Sequence, residues 1–364
     1  SLTAASSITE ITINSGGVLA GSTLRLTASG NYTNNGTHSG TGGVTLTGTN
    51  TTIDGTGTTS NTGTFILITG NKSVAAAANL TIGGAITITG AITVTNNGTI
   101  TSTGAGGMTG SVAGSSWTNA VNSTLNIAGP VLATGTLTAT AAPNTVNYNG
   151  AVAQTIKATT YHHLTVSTGG TKTAAAALTV NGDVTIGAGA TLALGTFSHS
   201  FKGNFTNNGA LTASTSTVTL NGSAAQSISG SSATSFNNLT INNASGISLS
   251  RAVTVTATLT FTSGNVTTGA NTLSSTGSVS RTSGHVVGNF QKNIATGATS
   301  RTFEIGDASN YTPVSVVFGS VTVAGNLTAS TASGDHANIG ATPINSAKSV
   351  NRTWTMTNTG ITFN

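Results

Sequence analysis

The chain has 364 residues and is nearly uncharged: 5% of its side chains are charged and 36% hydrophobic, with 48 glycines and no cysteine. Eleven Lys and Arg against six Asp and Glu leave a formal net charge of +5, but the basic residues are spread thinly, so the clustered footprint of nucleic-acid binding is missing and no nucleic-acid partner is expected. Without cysteine there are no disulfides or thiolate metal sites, and no apolar run is long enough to make a transmembrane helix.

A bulk of Thr, Gly, Ala, Ser and Asn has two readings. One is disorder, because such sequence cannot bury enough apolar surface to offset chain entropy. The other is a β-solenoid, whose ladder satisfies the backbone while Thr and Val cover the faces. Apolar residues recur at every second position and helix formers are scarce, which favours an all-β chain and the solenoid.

The chain opens on Ser1 without a charged n-region or an apolar h-region. The expectation is a leader already removed and a protein at the cell surface or outside the cell. From Val44 onward a degenerate sentence is written three times: Val44-Thr45-Leu46-Thr47-Gly48, Val146-Asn147-Tyr148-Asn149-Gly150 and Val218-Thr219-Leu220-Asn221-Gly222. Each copy runs on, through Thr52-Ile53-Asp54-Gly55, Gln154-Thr155-Ile156-Lys157 or Gln226-Ser227-Ile228, to an aromatic-led strand at Phe65, Tyr161 or Phe236. Three repeats are therefore placed at about 44–100, 145–195 and 217–265. Self-similarity on this scale means stacked units that bury one another's apolar faces.

Short strands end at Gly or Asn, as in Ile86-Thr87-Ile88-Thr89-Gly90. The Asn-Asn-Gly triplets at 34–36, 96–98 and 207–209 are expected to supply positive φ at corners. Two-residue hairpins would also use Asn-Gly, but strands of three to five residues between single corners suit a parallel β-helix better. Coils of roughly 18 to 24 residues would make residues 1–280 a solenoid of about 12 to 15 coils, a rod of about 55 to 75 Å. The Gly/Ser-rich stretch from Gly104 to Ser116 is expected to protrude as a loop, and Phe197, Phe201 and Phe205 to anchor corners from inside.

Near residue 281 the texture changes, with charges and two of the four prolines, Pro313 and Pro343, in the last stretch. Residues 281–364 are expected to form a small β-sandwich-like or capping domain, since a last coil without a cap exposes its ladder edge.

The chemistry-bearing residues are few. Of the six acids only Glu304 and Asp307 are close in sequence. A turn-stabilising Asp after a strand explains that pair better than the paired carboxylates of a glycosidase, and no enzyme, cofactor or metal is expected. His162 and His163 are adjacent, so on a regular strand one would face in and the other out rather than share an ion. Thr-x-Thr pairs such as 87–89 and 93–95 lack the strict period of an ice-binding face and reflect strand propensity. Asn-x-Thr triplets such as Asn79-Leu80-Thr81 follow from composition.

The copies at Val146 and Val218, with Asn204-Phe205-Thr206-Asn207-Asn208-Gly209 between them, resemble the repetitive passenger regions of large secreted, adhesin-like surface proteins of Bacteroidota. The tail adds to the resemblance through Gly284-His285-Val286-Val287-Gly288-Asn289-Phe290, Phe303-Glu304-Ile305-Gly306 and Asn351-Arg352-Thr353-Trp354. It implies export to the cell surface and adhesive or filament-forming roles, although the C-terminal sorting domain usual in that family is missing from these residues.

Two functional expectations follow. In the first the chain is a structural subunit of an extracellular fibre or surface layer, a homopolymer joined by strand pairing through Gly360, Ile361, Thr362, Phe363 and Asn364. In the second it is a monomeric adhesin stalk that binds surface glycans through residues 281–364, with Tyr311 and Trp354 stacking on sugars.

Overall fold

Alternation with period two becomes a stack of short parallel strands, because each inward Ile, Val or Leu meets the same kind of residue one coil away. The computed structural model describes residues 6–364, so Ser1, and the leader expected before it, lies outside the described residues. The protein is all-β, with two single-turn 3-10 segments, Ile339–Ala341 and Ser346–Lys348, as its described helical residues. Two compact units divide at Leu194 and Gly195.

The first unit is a parallel β-solenoid with three strands per coil. On one face Leu26, Val44, Phe65, Ile86 and Met108 stand in register on successive strands, all buried. Leu26 lies beside Val44 and Ile86 beside Met108, so each step along the stack falls within the coil length expected from sequence. Each such burial contributes about 1.5–3 kcal/mol. The residues between point outward and pair along the stack: Asn147 Nδ2 donates to Asn126 Oδ1 (3.0 Å) and Asn126 Nδ2 to Thr101 Oγ1 (3.1 Å).

Gly104 to Ser116 does not protrude. Met108–Gly110 is a strand paired with Ile86–Thr89, its Met108 fully buried. The three copies also differ in phase: Val44–Leu46 belongs to the sheet of Leu26–Ala28 and Phe65–Ile68, whereas Thr145–Tyr148 continues the sheet of Thr99–Ser102 and Thr124–Ile127. The strand that stacks on each opening strand brings Phe65 onto Val44, Leu164 onto Val146 and Leu239 onto Val218. Tyr161 and Phe236 therefore precede the stacked position that Phe65 occupies.

The Asn-Asn-Gly corners work differently from the expectation, since none of their residues has positive φ. Their first Asn is fully buried and fastens two coils. Asn96 Oδ1 accepts from Gly98 N (3.2 Å), while its Nδ2 donates to Thr124 O (3.0 Å) and Asn119 Oδ1 (3.1 Å). Asn34 and Asn207 repeat the arrangement with Gly36 and Gly209. Glycine is required for close approach: a Cβ at Gly98 would lie 2.4 Å from Ala75 O.

In the second unit parallel pairing continues past residue 281, through Val266 beside Val286 and Val286 beside Ile305. Pairing then turns antiparallel. Val286–Ile294 pairs with Gly325–Ser333, which pairs with Arg352–Thr359, while Gly297–Phe303, Val314–Val323 and Thr362–Phe363 form a separate three-stranded sheet. The shift in composition thus comes about one coil before the change in pairing. Phe201 ends one strand and Phe205 begins the next, so both flank the corner at 202–204 and are buried inside it as expected, stacked at 6.0 Å, whereas Phe197 is only half-buried.

Candidate functional site

The two aromatics expected to stack on sugars converge on one loop. Asp307 ends the short strand Ile305–Gly306, and its Oδ1 accepts from Ser309 N (2.9 Å) and Asn310 N (2.8 Å). Arg352 reaches it from the strand Arg352–Thr359 of the same sheet, at 2.5 Å. That guanidinium first, then the two amides, holds the Asp307 carboxyl well below the ordinary carboxylate range. Trp354 Nε1 donates to Thr312 O (3.1 Å), and His285 Nε2 lies 2.7 Å from Asp307 O. Tyr311, 37% exposed, has the Arg281 guanidinium 3.5 Å from its ring centroid. One face of Tyr311 is therefore already covered, and Trp354 is half-buried. Glu304 does not join Asp307; it pairs with Lys292 at 2.7 Å beneath the surface.

The segment expected to join neighbours is used within the chain. Gly360 turns with φ 82°, and Ile361 is buried and bonded both ways to Asn358. Thr362 and Phe363 pair with Val323 and Val321, and Phe363 meets Phe318 edge-on at 5.2 Å. Asn364 N donates to Ser320 O.

His162 and His163 do not alternate in and out. The strand breaks between Tyr161 and His163, both rings are half-exposed, and their centroids lie 4.2 Å apart. His163 Nδ1 accepts from Asp183 N (2.9 Å). Burial, then the neighbouring His163, lowers the pKa of His162. Among the described residues no three His, Asp or Glu are grouped to hold a metal ion.

Sequence reasoning passed over a buried imidazole in the first unit. His38 is enclosed between Tyr32 Oη (3.2 Å from Nδ1) and Asn61 Nδ2 (3.2 Å from Nε2). Asn61 Oδ1 accepts from Gly43 N and Gly63 N, so its amide nitrogen must face the ring and Nε2 must be the acceptor. Tyr32 Oη then accepts from Nδ1 and donates to Thr59 Oγ1 (3.3 Å). Protonation would set two donors against each other, and burial already lowers the His38 pKa from 6.5. Unfolded chains take up this proton near pH 6.5 while folded ones resist, so stability is full above 6.5 and falls as pH drops from there to the folded pKa. The prediction is that the wild-type melting temperature falls between pH 7 and 5 more steeply than that of His38→Gln; parallel curves would rule His38 out as the titrating group.

Corner carbonyls in both units are met by buried side chains. Gln154 Nε2 donates to Ile127 O (2.8 Å) and Gly129 O (2.9 Å) while its Oε1 accepts from Gly150 N. Gln226 does the same with Phe201 O, Gly203 O and Gly222 N. Lys72 and Lys172 are buried at related corners. The available signal was a polar residue on an inward position, Gly-x-x-x-Gln in the second and third copies. Comparison with protein-family models, curated proteins and solved structures finds no match.

Proposed function

We propose that the chain is a structural extracellular protein, a subunit of a fibre or surface layer joined by strand pairing. The observation that carries this reading is the strand Arg352–Thr359. It pairs over eight consecutive residues with Gly325–Ser333, without a bulge, and among the described residues no strand pairs with its other edge. Thr355 to Thr359 are exposed on both faces. Edge strands are ordinarily blunted by Lys, Pro, a bulge or short length, and Thr353 to Thr359 has none of these devices. The sequence alternates Thr with Trp354, Met356 and Asn358, so antiparallel pairing of two copies can set threonines against threonines, a favourable cross-strand match. This edge supports assembly better than Gly360 to Asn364, whose strand is two residues long and already pairs within its own chain.

The test is electron microscopy of the purified chain with the Met356→Lys variant beside it. Wild-type assemblies that disappear in the variant, with circular dichroism unchanged, are the expected result. Dispersed wild-type particles would count against assembly. The glycan-binding reading rests on Tyr311 and Trp354 meeting at the 307–312 loop, and saturable glycan binding lost in Trp354→Ala would favour it instead.

A further inference from the structure

Two lysines are buried without a carboxylate. Lys72 and Lys172 each follow a left-handed corner, in Ile68-Thr69-Gly70-Asn71-Lys72 and Thr168-Gly169-Gly170-Thr171-Lys172. Thr69 and Gly70 have φ of 57° and 70°, and Thr168, Gly169 and Gly170 of 62°, 69° and 63°. At the first corner Lys72 Nζ donates to Ile68 O (3.0 Å), Thr69 O (2.8 Å) and Gly70 O (2.9 Å), and to Gly48 O of the preceding coil at 2.5 Å. At the second, Lys172 Nζ bonds Gly150 O at 2.5 Å and Gly169 O. Gly48 and Gly150 close the same sentence in the first two copies, so the arrangement occurs twice with the same parts. Neither lysine takes part in an ion pair among the described residues.

An ammonium has three N–H groups, and the first corner offers four carbonyl oxygens. Hydrogen bonds to the charged form favour it, whereas burial opposes it. Burial pulls Lys72 down to about 8, which still leaves the ammonium as the main form at neutral pH.

We propose that these corners are main-chain cation sites for a primary ammonium, with Lys72 and Lys172 as their tethered occupants. A free primary alkylammonium ion takes either site when its lysine side chain is removed. The occupants also bear on the net charge: two of the eleven basic residues are turned inward to carbonyls and are not available to an anionic partner.

The test is thermal unfolding of full-length Lys72→Ala and Lys172→Ala in propylammonium chloride and, at equal concentration, tetramethylammonium chloride, which has the same charge but no N–H. Each variant is expected to melt roughly 5–10 °C below wild type, as several buried acceptors lose their donor. Propylammonium should restore at least half of that loss, saturably, with no effect of tetramethylammonium and none of either salt on wild type. Should the variants not fold unaided, refolding yield with the two salts gives the same comparison. Equal effects of both salts, or no recovery in either variant, would overturn the proposal. So would acylation of Lys72 in the folded wild type at the rate of the exposed Lys202 and Lys348.

Discussion

Glu304→Ala is expected to destabilise the protein by about 3–5 kcal/mol, because it leaves the Lys292 ammonium buried without its carboxylate. Lys292 and Glu304 side chains are only 8% and 12% exposed, and the ammonium lies among Phe290 and Phe303, 5.0 and 5.8 Å from their ring centroids. Thr302 O, at 2.6 Å, is its other acceptor. Burial already lowers the Lys292 pKa, and the bond to Glu304 opposes that shift. Replacing both partners, as Lys292→Met with Glu304→Leu, should cost far less than Glu304→Ala, since no charge is then stranded. Chemical denaturation of the three proteins checks this. A single variant as stable as wild type would mean that water reaches the ammonium.

The second large effect is expected at Asn96. Asn96→Leu keeps a side chain of similar size but strands the buried Gly98 N–H, takes a donor from the half-buried Thr124 C=O and removes the buried amide bond to Asn119. Each buried group left unpaired costs about 1–3 kcal/mol, so a loss of about 3 kcal/mol or more is predicted. The strain would spread along the stack, because Asn119 also accepts from the buried Trp117 Nε1 (2.9 Å) and donates to Thr145 O. Asn97→Ala, next door at a half-exposed position with one bond to Val74 O, should cost under about 1 kcal/mol. If the two variants unfolded at the same denaturant concentration, the inward Asn would not be the fastener of the coils.

The candidate sites were only partly legible. Tyr311 and Trp354 stand out as aromatics in a late, charged stretch, and the fold does bring both to the 307–312 loop. That Arg281 covers a face of Tyr311 follows from the loop's return beside an earlier strand, Ser278–Arg281, which spacing along the chain does not reveal. Gly360 to Asn364 read as a strand, and Thr362–Phe363 is one. Its partner, Val314–Val323, lies in the same chain, and the long open edge is that of Arg352–Thr359.

The sequence by itself determined the all-β class, the in-and-out alternation and the approximate length of a coil, because a period of two is local and inward Val, Ile and Leu need only a like residue one coil away. It also located the corners at Asn-Asn-Gly. Only the tertiary structure decided what those corners do: which carbonyl of a neighbouring coil, Thr124 O in the next for Asn96 and Ala75 O or Gly48 O in the preceding one for Gly98 or Lys72, lies opposite depends on how loops of unequal length stack. Gly98 is there to admit Ala75 O rather than to reach positive φ, and Lys72 and Lys172 look in sequence like two more surface lysines. The same stacking put the first copy of the repeat on one face and the second on another. Outward positions tolerate drift, whereas each inward polar group must find its partner a full coil away along the chain.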